Sequence, residues 1–139
     1  MTGAVASEVR VRYSETDKMG VVYHTHYLVW FEIGRTEFLR AHGSSYRELE
    51  ERDVFMPVLE CYCRYRRSAR YDDRVRIETR CRRVQRARLR FDYLVIREAD
   101  AARLAEGYTV HAATDAAGNP RRLPPEILRR FPPQSSAPA

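Results

Sequence analysis

Residues 13–27 read YSETDKMGVVYHTHY and hold the densest run of reactive side chains in the chain: Tyr13, Glu15, Asp17, His24, His26 and Tyr27. Carboxylate, imidazole and phenol are groups that move protons or attack electrophiles near neutral pH. The segment lies between an alternating strand and an apolar helix, in a loop that ends at the helix N-terminus. Loops held by a rigid scaffold often carry function. The free N–H groups of a helix's first turn favour developing negative charge. A carboxylate just ahead of such a terminus can face an electrophile whose oxygen rests on those N–H groups, as in an oxyanion hole. The same residues also fit a plain structural part, with Asp17 ordering a turn and His24 capping or packing. Composition leaves both readings open.

The positioning elements follow from periodicity. VRVRY at 9–13 alternates at period 2 and reads as a strand, and 14–22 reads as a loop. From about 24 to 42, Tyr27, Phe31, Gly34 and Phe38 recur at helical spacing, with Trp30 and Ile33 widening the stripe. The first half of this helix is apolar almost all round, so it reads as buried. Gly43 marks its end, and Gly34 suggests close approach of a strand. Residues 44–53 read as a short exposed helical turn. Four strands follow. Leu59, Cys61, Cys63 and Tyr65 share a face in 58–66, and Val75, Ile77, Thr79 and Cys81 share one in 74–82. Leu89, Phe91, Tyr93 and Val95 share one in 88–97, and Tyr108, Val110 and Ala112 share one in 104–115. Short links at 71–73, around Gln85 and at 98–100 imply antiparallel meanders, and DAAGNP at 115–120 reads as a turn. The expected architecture is α+β, one helix covered by one curved antiparallel sheet. The folded domain is expected over 8–131, with flexible tails at 1–7 and 132–139.

Length and composition bound the function. The chain has 139 residues, 44% of them apolar and 32% charged, which suits one soluble globular domain. No run approaches the ~20 apolar residues of a membrane span. The N-terminus lacks a basic segment followed by an apolar one, so a cytoplasmic protein is expected. The net charge is +6, and Lys18 is the single lysine among 25 basic residues. Arginine suits phosphate recognition through its guanidinium fork. Cys61, Cys63 and Cys81 are too few for a disulfide framework. They fall on apolar strand faces and are expected as buried thiols.

The run from Arg12 to Tyr27, with its pattern T-D-x-x-G-V-V-Y-H-x-x-Y, resembles the signature of the hotdog-fold acyl-CoA thioesterases. It is most similar to their 4-hydroxybenzoyl-CoA thioesterase and YbgC-like branch. Pro57, S-A-R-Y-D-D-R-V at 68–75, G-Y-T-V-H at 107–111 and G-N-P-R-R-L-P at 118–124 extend the resemblance to roughly 8–130. It implies a five-stranded antiparallel sheet wrapped around one long central helix. It also implies that Asp17 is the catalytic carboxylate, with His24 and Tyr13 as its companions. The thioester carbonyl would rest on backbone N–H at the helix start, drawn from Gly20, Tyr23 and His24. Chains of this family pair into one extended sheet, so a dimer or a dimer of dimers (a homotetramer) is expected. His26 and Lys18 receive no role.

A thioester is already activated, so its hydrolysis needs neither metal nor cofactor; coenzyme A is part of the substrate. The carboxylate either attacks the carbonyl or deprotonates a water. The substrate expected is a thioester of coenzyme A or of an acyl carrier protein. Arg82, Arg83, Arg86 and Arg88, with Arg90, crowd one strand pair and could meet phosphates, or form a solvated face. Met56, Leu59 and Phe31 are candidate walls of the acyl pocket. Three other classes fit less well. A nucleic-acid-binding module lacks its sequence patterns, a hotdog dehydratase or hydratase needs a different Asp/His spacing, and a noncatalytic acyl-binding hotdog protein needs no reactive carboxylate.

Overall fold

The computed structural model describes residues 3–85 and 88–131. β1 (Val5–Arg10) leads through a 3-10 turn (Tyr13–Glu15) to α1 (His26–Ala41) and the short α2 (Tyr46–Glu51). β2 (Val58–Tyr65), β3 (Arg74–Gln85), β4 (Arg88–Arg97) and β5 (Arg103–Ala112) follow, then the single turn α3 (Pro125–Leu128). The strands form one antiparallel sheet in the order β1-β3-β4-β5-β2. This is the expected hotdog arrangement, with α1 lying against the concave face.

The alternation in β3 and β4 does what its pattern implies. Val75, Ile77, Thr79, Cys81, Leu89, Phe91, Tyr93 and Val95 are all buried under α1 and its flanking loops. Trp30, Phe31 and Phe38 fill the helix side of this core, each contributing about 1.5–3 kcal/mol by burial. Gly34 is where the helix rests on the sheet. A Cβ there would run into Thr79 Oγ1 and stand 3.0 Å from Ile77 Cγ2. Gly43 takes φ +79° just past the helix end, a conformation glycine adopts without a Cβ penalty.

Four expectations are corrected. Residues 5–7 are not a loose tail, because Val5, Ala6 and Ser7 pair with Thr79, Glu78 and Ile77; the 132–139 segment lies outside the described residues. β5 has the opposite parity. Ala105, Thr109 and His111 are the buried residues, while Tyr108, Val110 and Ala112 sit half-buried on the outer face. β2 is the sheet edge and α1 packs over β1 and β3. Among the described residues its inner face is therefore covered only in part, by Tyr27 at Tyr65, and Cys61 is exposed and Cys63 half-buried while Cys81 is buried. Leu28 and Val29 on α1 stay exposed, as do Val58, Leu59 and Tyr65 on β2, while Tyr62 is exposed on the outer face, stacked on Tyr108. No described helix is long and apolar enough to cross a membrane.

Candidate active site

The 13–27 segment folds back on itself before α1. Thr16 bridges Val22, and the Asp17 N–H donates to the Val21 carbonyl at 2.9 Å. The reversal between them is tight, and Gly20 supplies it with φ +80°. The Asp17 carboxylate shapes this turn through one oxygen. Oδ1 accepts the N–H of Met19 at 2.8 Å and of Val21 at 3.4 Å. Oδ2 has no hydrogen-bond partner among the described residues. Glu15 lies buried beneath, accepting the Arg12 N–H at 2.7 Å, while its backbone carbonyl accepts the Tyr23 N–H. Glu15 is thus a fastener of the 3-10 turn rather than a reactive group.

Asp17 opens on a cleft of about 350 Å³ lined by Val21, Val22, Tyr23, His24, Tyr27 and the 65–68 segment. Its floor is the start of α1. The Tyr27 hydroxyl, pushed to a higher pKa by burial, accepts the Ala69 N–H at 3.0 Å. The Tyr65 hydroxyl, also raised by desolvation and then by its contact with Cys63, donates to the His24 carbonyl at 3.0 Å. The far wall is steadied by Arg97, whose guanidinium reaches the Ser68 carbonyl, Asp73 and Asp100.

Three backbone N–H groups were named from sequence for the carbonyl oxygen. Gly20 N–H is spent on the Asp17 carbonyl and Tyr23 N–H on the Glu15 carbonyl. Among the described residues the N–H groups of His24 and Thr25 have no acceptor, so the helix start offers these two. Thr25 was not legible as a donor because its residue type says nothing about its backbone. The His24 ring is exposed, 4.6 Å from the Tyr23 ring. Tyr13 does not join the cleft. It is 78% exposed and its ring stands edge-on to Tyr71, because the 3-10 turn points it away.

The sequence also missed Tyr65, Arg66, Arg67 and Ser68, which arrive from the end of β2, more than forty residues away. The run R-Y-R-R-S-A-R that holds them adjoins the quoted 68–75 motif and was the available signal. Arg66 is held bidentately by Glu106 at 3.0 and 2.9 Å. Arg82, Arg83 and Arg88 lie at the opposite end of the sheet from the cleft of their own chain. Asp92 takes Arg82 at 3.6 Å and Arg90 at 3.0 Å, and Arg90 also covers the Tyr108 ring at 3.9 Å. Arg86 lies outside the described residues. Phe31 follows Tyr27 along α1, Met56 packs against the core, and Leu59 is exposed on β2. No group of three His, Cys, Asp or Glu side chains suited to a metal ion occurs among the described residues.

A carboxylate oxygen and two N–H groups at a helix start, all without a partner among the described residues and set around one cleft, can bind and polarise a carbonyl. Residues 11–131 match the thioesterase-like superfamily. The putative acyl-CoA thioesterase YneP of Bacillus subtilis is 40% identical over 72 residues, 52% of each chain. The acyl-CoA thioester hydrolase YbgC of Escherichia coli is 34% identical over 124 residues, covering 88% of this chain and 92% of that one. The crystal structure of DHNA-CoA thioesterase from Staphylococcus aureus superposes with a TM-score of 0.86 at 29% identity, covering 91% of this chain and 87% of that one.

Proposed function

The chain belongs to the thioesterase-like superfamily, and from that premise we propose that it hydrolyses acyl thioesters of coenzyme A, with Asp17 as the catalytic carboxylate. The observation that carries this reading is the shared cleft, which Asp17 and the His24 start of α1 both line. The thioester oxygen rests on the N–H groups of His24 and Thr25, where the helix terminus favours the charge that develops on it. Asp17 then acts in one of two balanced ways. As nucleophile, its Oδ2 forms a bond to the carbonyl carbon, the C–S bond breaks, and water later hydrolyses the mixed anhydride. As base, it takes a proton from water while the hydroxide forms that bond and the thiolate departs. The His24 ring, at the open side, orients the attacking water. Tyr13 takes no part.

The two β2 edges of a pair of chains complete the site. An unpaired edge flanked by exposed Leu59, Tyr62 and Tyr65 is a template for pairing with another chain. Antiparallel pairing reverses the second sheet. The 82–90 hairpin of that copy then lies at the same end as the first chain's cleft, where it meets the phosphates of coenzyme A. Light scattering should give a dimer or a dimer of dimers, and a stable, fully active monomer would overturn this part.

The activity is tested by mixing the protein with a panel of acyl-CoAs and a thiol-detecting dye. Thiol release is expected, and none from any acyl-CoA or acyl carrier protein thioester would overturn the reading. A single turnover in ¹⁸O-water tests the anhydride route: unlabelled acid with the label in the Asp17 carboxylate requires it, through attack of water on the Asp17 carbonyl carbon.

A further inference from the structure

We propose that Arg67 receives the departing thiolate, its guanidinium pairing with the thioester sulfur as the C–S bond breaks. This rests on the thioesterase reading and adds a residue to that site. Hydrolysis moves one negative charge through the cleft. The charge begins on Asp17 and passes to the carbonyl oxygen when the new bond to carbon forms. It ends on sulfur when the C–S electron pair leaves with it. Both routes share this order. The first position is held by the Met19 N–H at 2.8 Å, and the second rests on the N–H groups of His24 and Thr25. The third needs a cation or donor of its own.

Two of the residues that line the cleft are permanent cations, Arg66 and Arg67. Arg66 is committed, since Glu106 takes its Nε and Nη2 at 3.0 and 2.9 Å. The Arg67 guanidinium makes no ion pair or hydrogen bond among the described residues, and every Asp and Glu of the chain is among them. The phenols of the cleft are poor substitutes. Tyr65 spends its proton on the His24 carbonyl, and burial raises the pKa of both Tyr27 and Tyr65.

The backbone sets Arg67 beside the oxyanion position. The Tyr65 hydroxyl reaches the His24 carbonyl at 3.0 Å, and the Val22 N–H donates to the Ala69 carbonyl at 2.9 Å. Arg67 lies between these two ties, so its chain runs beside residues 22–24. Its own N–H and that of Arg66 both donate to the Leu104 carbonyl, at 3.1 and 2.8 Å, which fixes the root of the side chain at the end of the sheet. Beyond that root the residue is exposed and free to swing onto sulfur. Arginine stays protonated throughout. It therefore pairs with the thiolate instead of protonating it, and water supplies the proton of the released thiol.

The test places one acyl group on two thiols of unequal basicity, N-acetylcysteamine and 4-nitrothiophenol, and compares wild type, Arg67→Met and Arg67→Lys. The alkyl thiolate is the poorer leaving group and needs the cation more. Arg67→Met should lower kcat/KM for the N-acetylcysteamine ester about 10–100-fold, the worth of a charge-assisted hydrogen bond, and for the nitrothiophenyl ester less than about three-fold. Arg67→Lys, which keeps the charge if the Met variant fails to fold, should show only part of that difference. Equal loss on both esters, the mark of a structural or acyl-binding Arg67, overturns the proposal, as does no loss on either. Calorimetry with coenzyme A and its S-methyl thioether, from about pH 7 to 10, reads the site without the reaction. Wild type should come to favour the thiol as it ionises, and Arg67→Met should not. That preference without any turnover would sink the hydrolase reading alone. Turnover in which neither thiolate binding nor leaving group depends on Arg67 would sink the thiolate site alone.

Discussion

The Tyr65 hydroxyl donates to the His24 carbonyl at 3.0 Å, which ties the sheet's free edge strand to the turn that starts α1. The bond holds the two unpaired N–H groups in place from outside the turn. Tyr65→Phe keeps the ring and removes the tie, worth about 1 kcal/mol. Turnover should fall about five-fold with little change in melting temperature. Steady-state kinetics beside a thermal melt checks this; an unchanged kcat would show that the turn needs no such tie.

Gly34 sits against Thr79 and Ile77. Gly34→Ala gains helix propensity but overpacks this contact, and the net cost should be roughly 1–2 kcal/mol, read as a melting temperature lower by several degrees. Thr79 Oγ1 is buried without a hydrogen-bond partner, so Thr79→Ala removes the obstacle cheaply. The double variant should melt higher than Gly34→Ala alone. Simple addition of two losses would refute the contact.

His111 gives the fold a dependence on pH. Burial depresses its pKa to about 4, with the Met56 carbonyl pulling the other way and the Arg35 charge adding to the depression. With Nδ1–H donated to Met56, Nε2 accepts from the Thr109 hydroxyl, and a second proton would break that bond. The unfolded imidazole titrates near 6.5, so the unfolded state binds more protons between these values. Stability from neutral His111 is complete above about 6.5 and is lost as pH falls toward 4, on the order of 3 kcal/mol in all. Melting curves from pH 7 to 4 should show this slope, and His111→Gln should flatten it.

In the proposed pair of chains, the β3–β4 hairpin that carries Arg83 and Arg88 reaches the cleft of the other copy. Arg83→Ala and Arg88→Ala should therefore raise KM for acyl-CoA several-fold with kcat nearly kept, because remote phosphate contacts bind ground and transition states alike. The effect should shrink at high salt. An unchanged KM in both would leave the hairpin as a solvated face.

Strict alternation made β3 and β4 legible, since Val75, Ile77, Leu89 and Phe91 are apolar where the core is. β5 misled because its buried face includes Thr109 and His111, polar groups that hydrogen-bond each other, while Tyr108 and Val110 cover the outer face. The pattern cannot show such mutual satisfaction. β2 misled because it lies at an edge of the sheet, where α1 covers Tyr65 and Cys63 only in part and leaves Cys61 exposed, and alternation does not tell an edge strand from a central one. At the site, Asp17 and His24 were readable from one local motif. Tyr65 and Arg67 were not, because pairing of β2 with β5 brings them there from a distance. Tyr13 was carried in by resemblance, and the local 3-10 turn sends it to solvent.

Asp17→Asn tests the central claim most directly. The amide keeps an oxygen for the N–H groups of Met19 and Val21, so the turn and the melting temperature should persist. It removes the charge, the nucleophile and the base. With the best acyl-CoA from the panel, kcat should fall on the order of 10²–10⁴-fold while KM moves little. A folded Asn variant that hydrolyses the thioester at near wild-type rate would contradict the account.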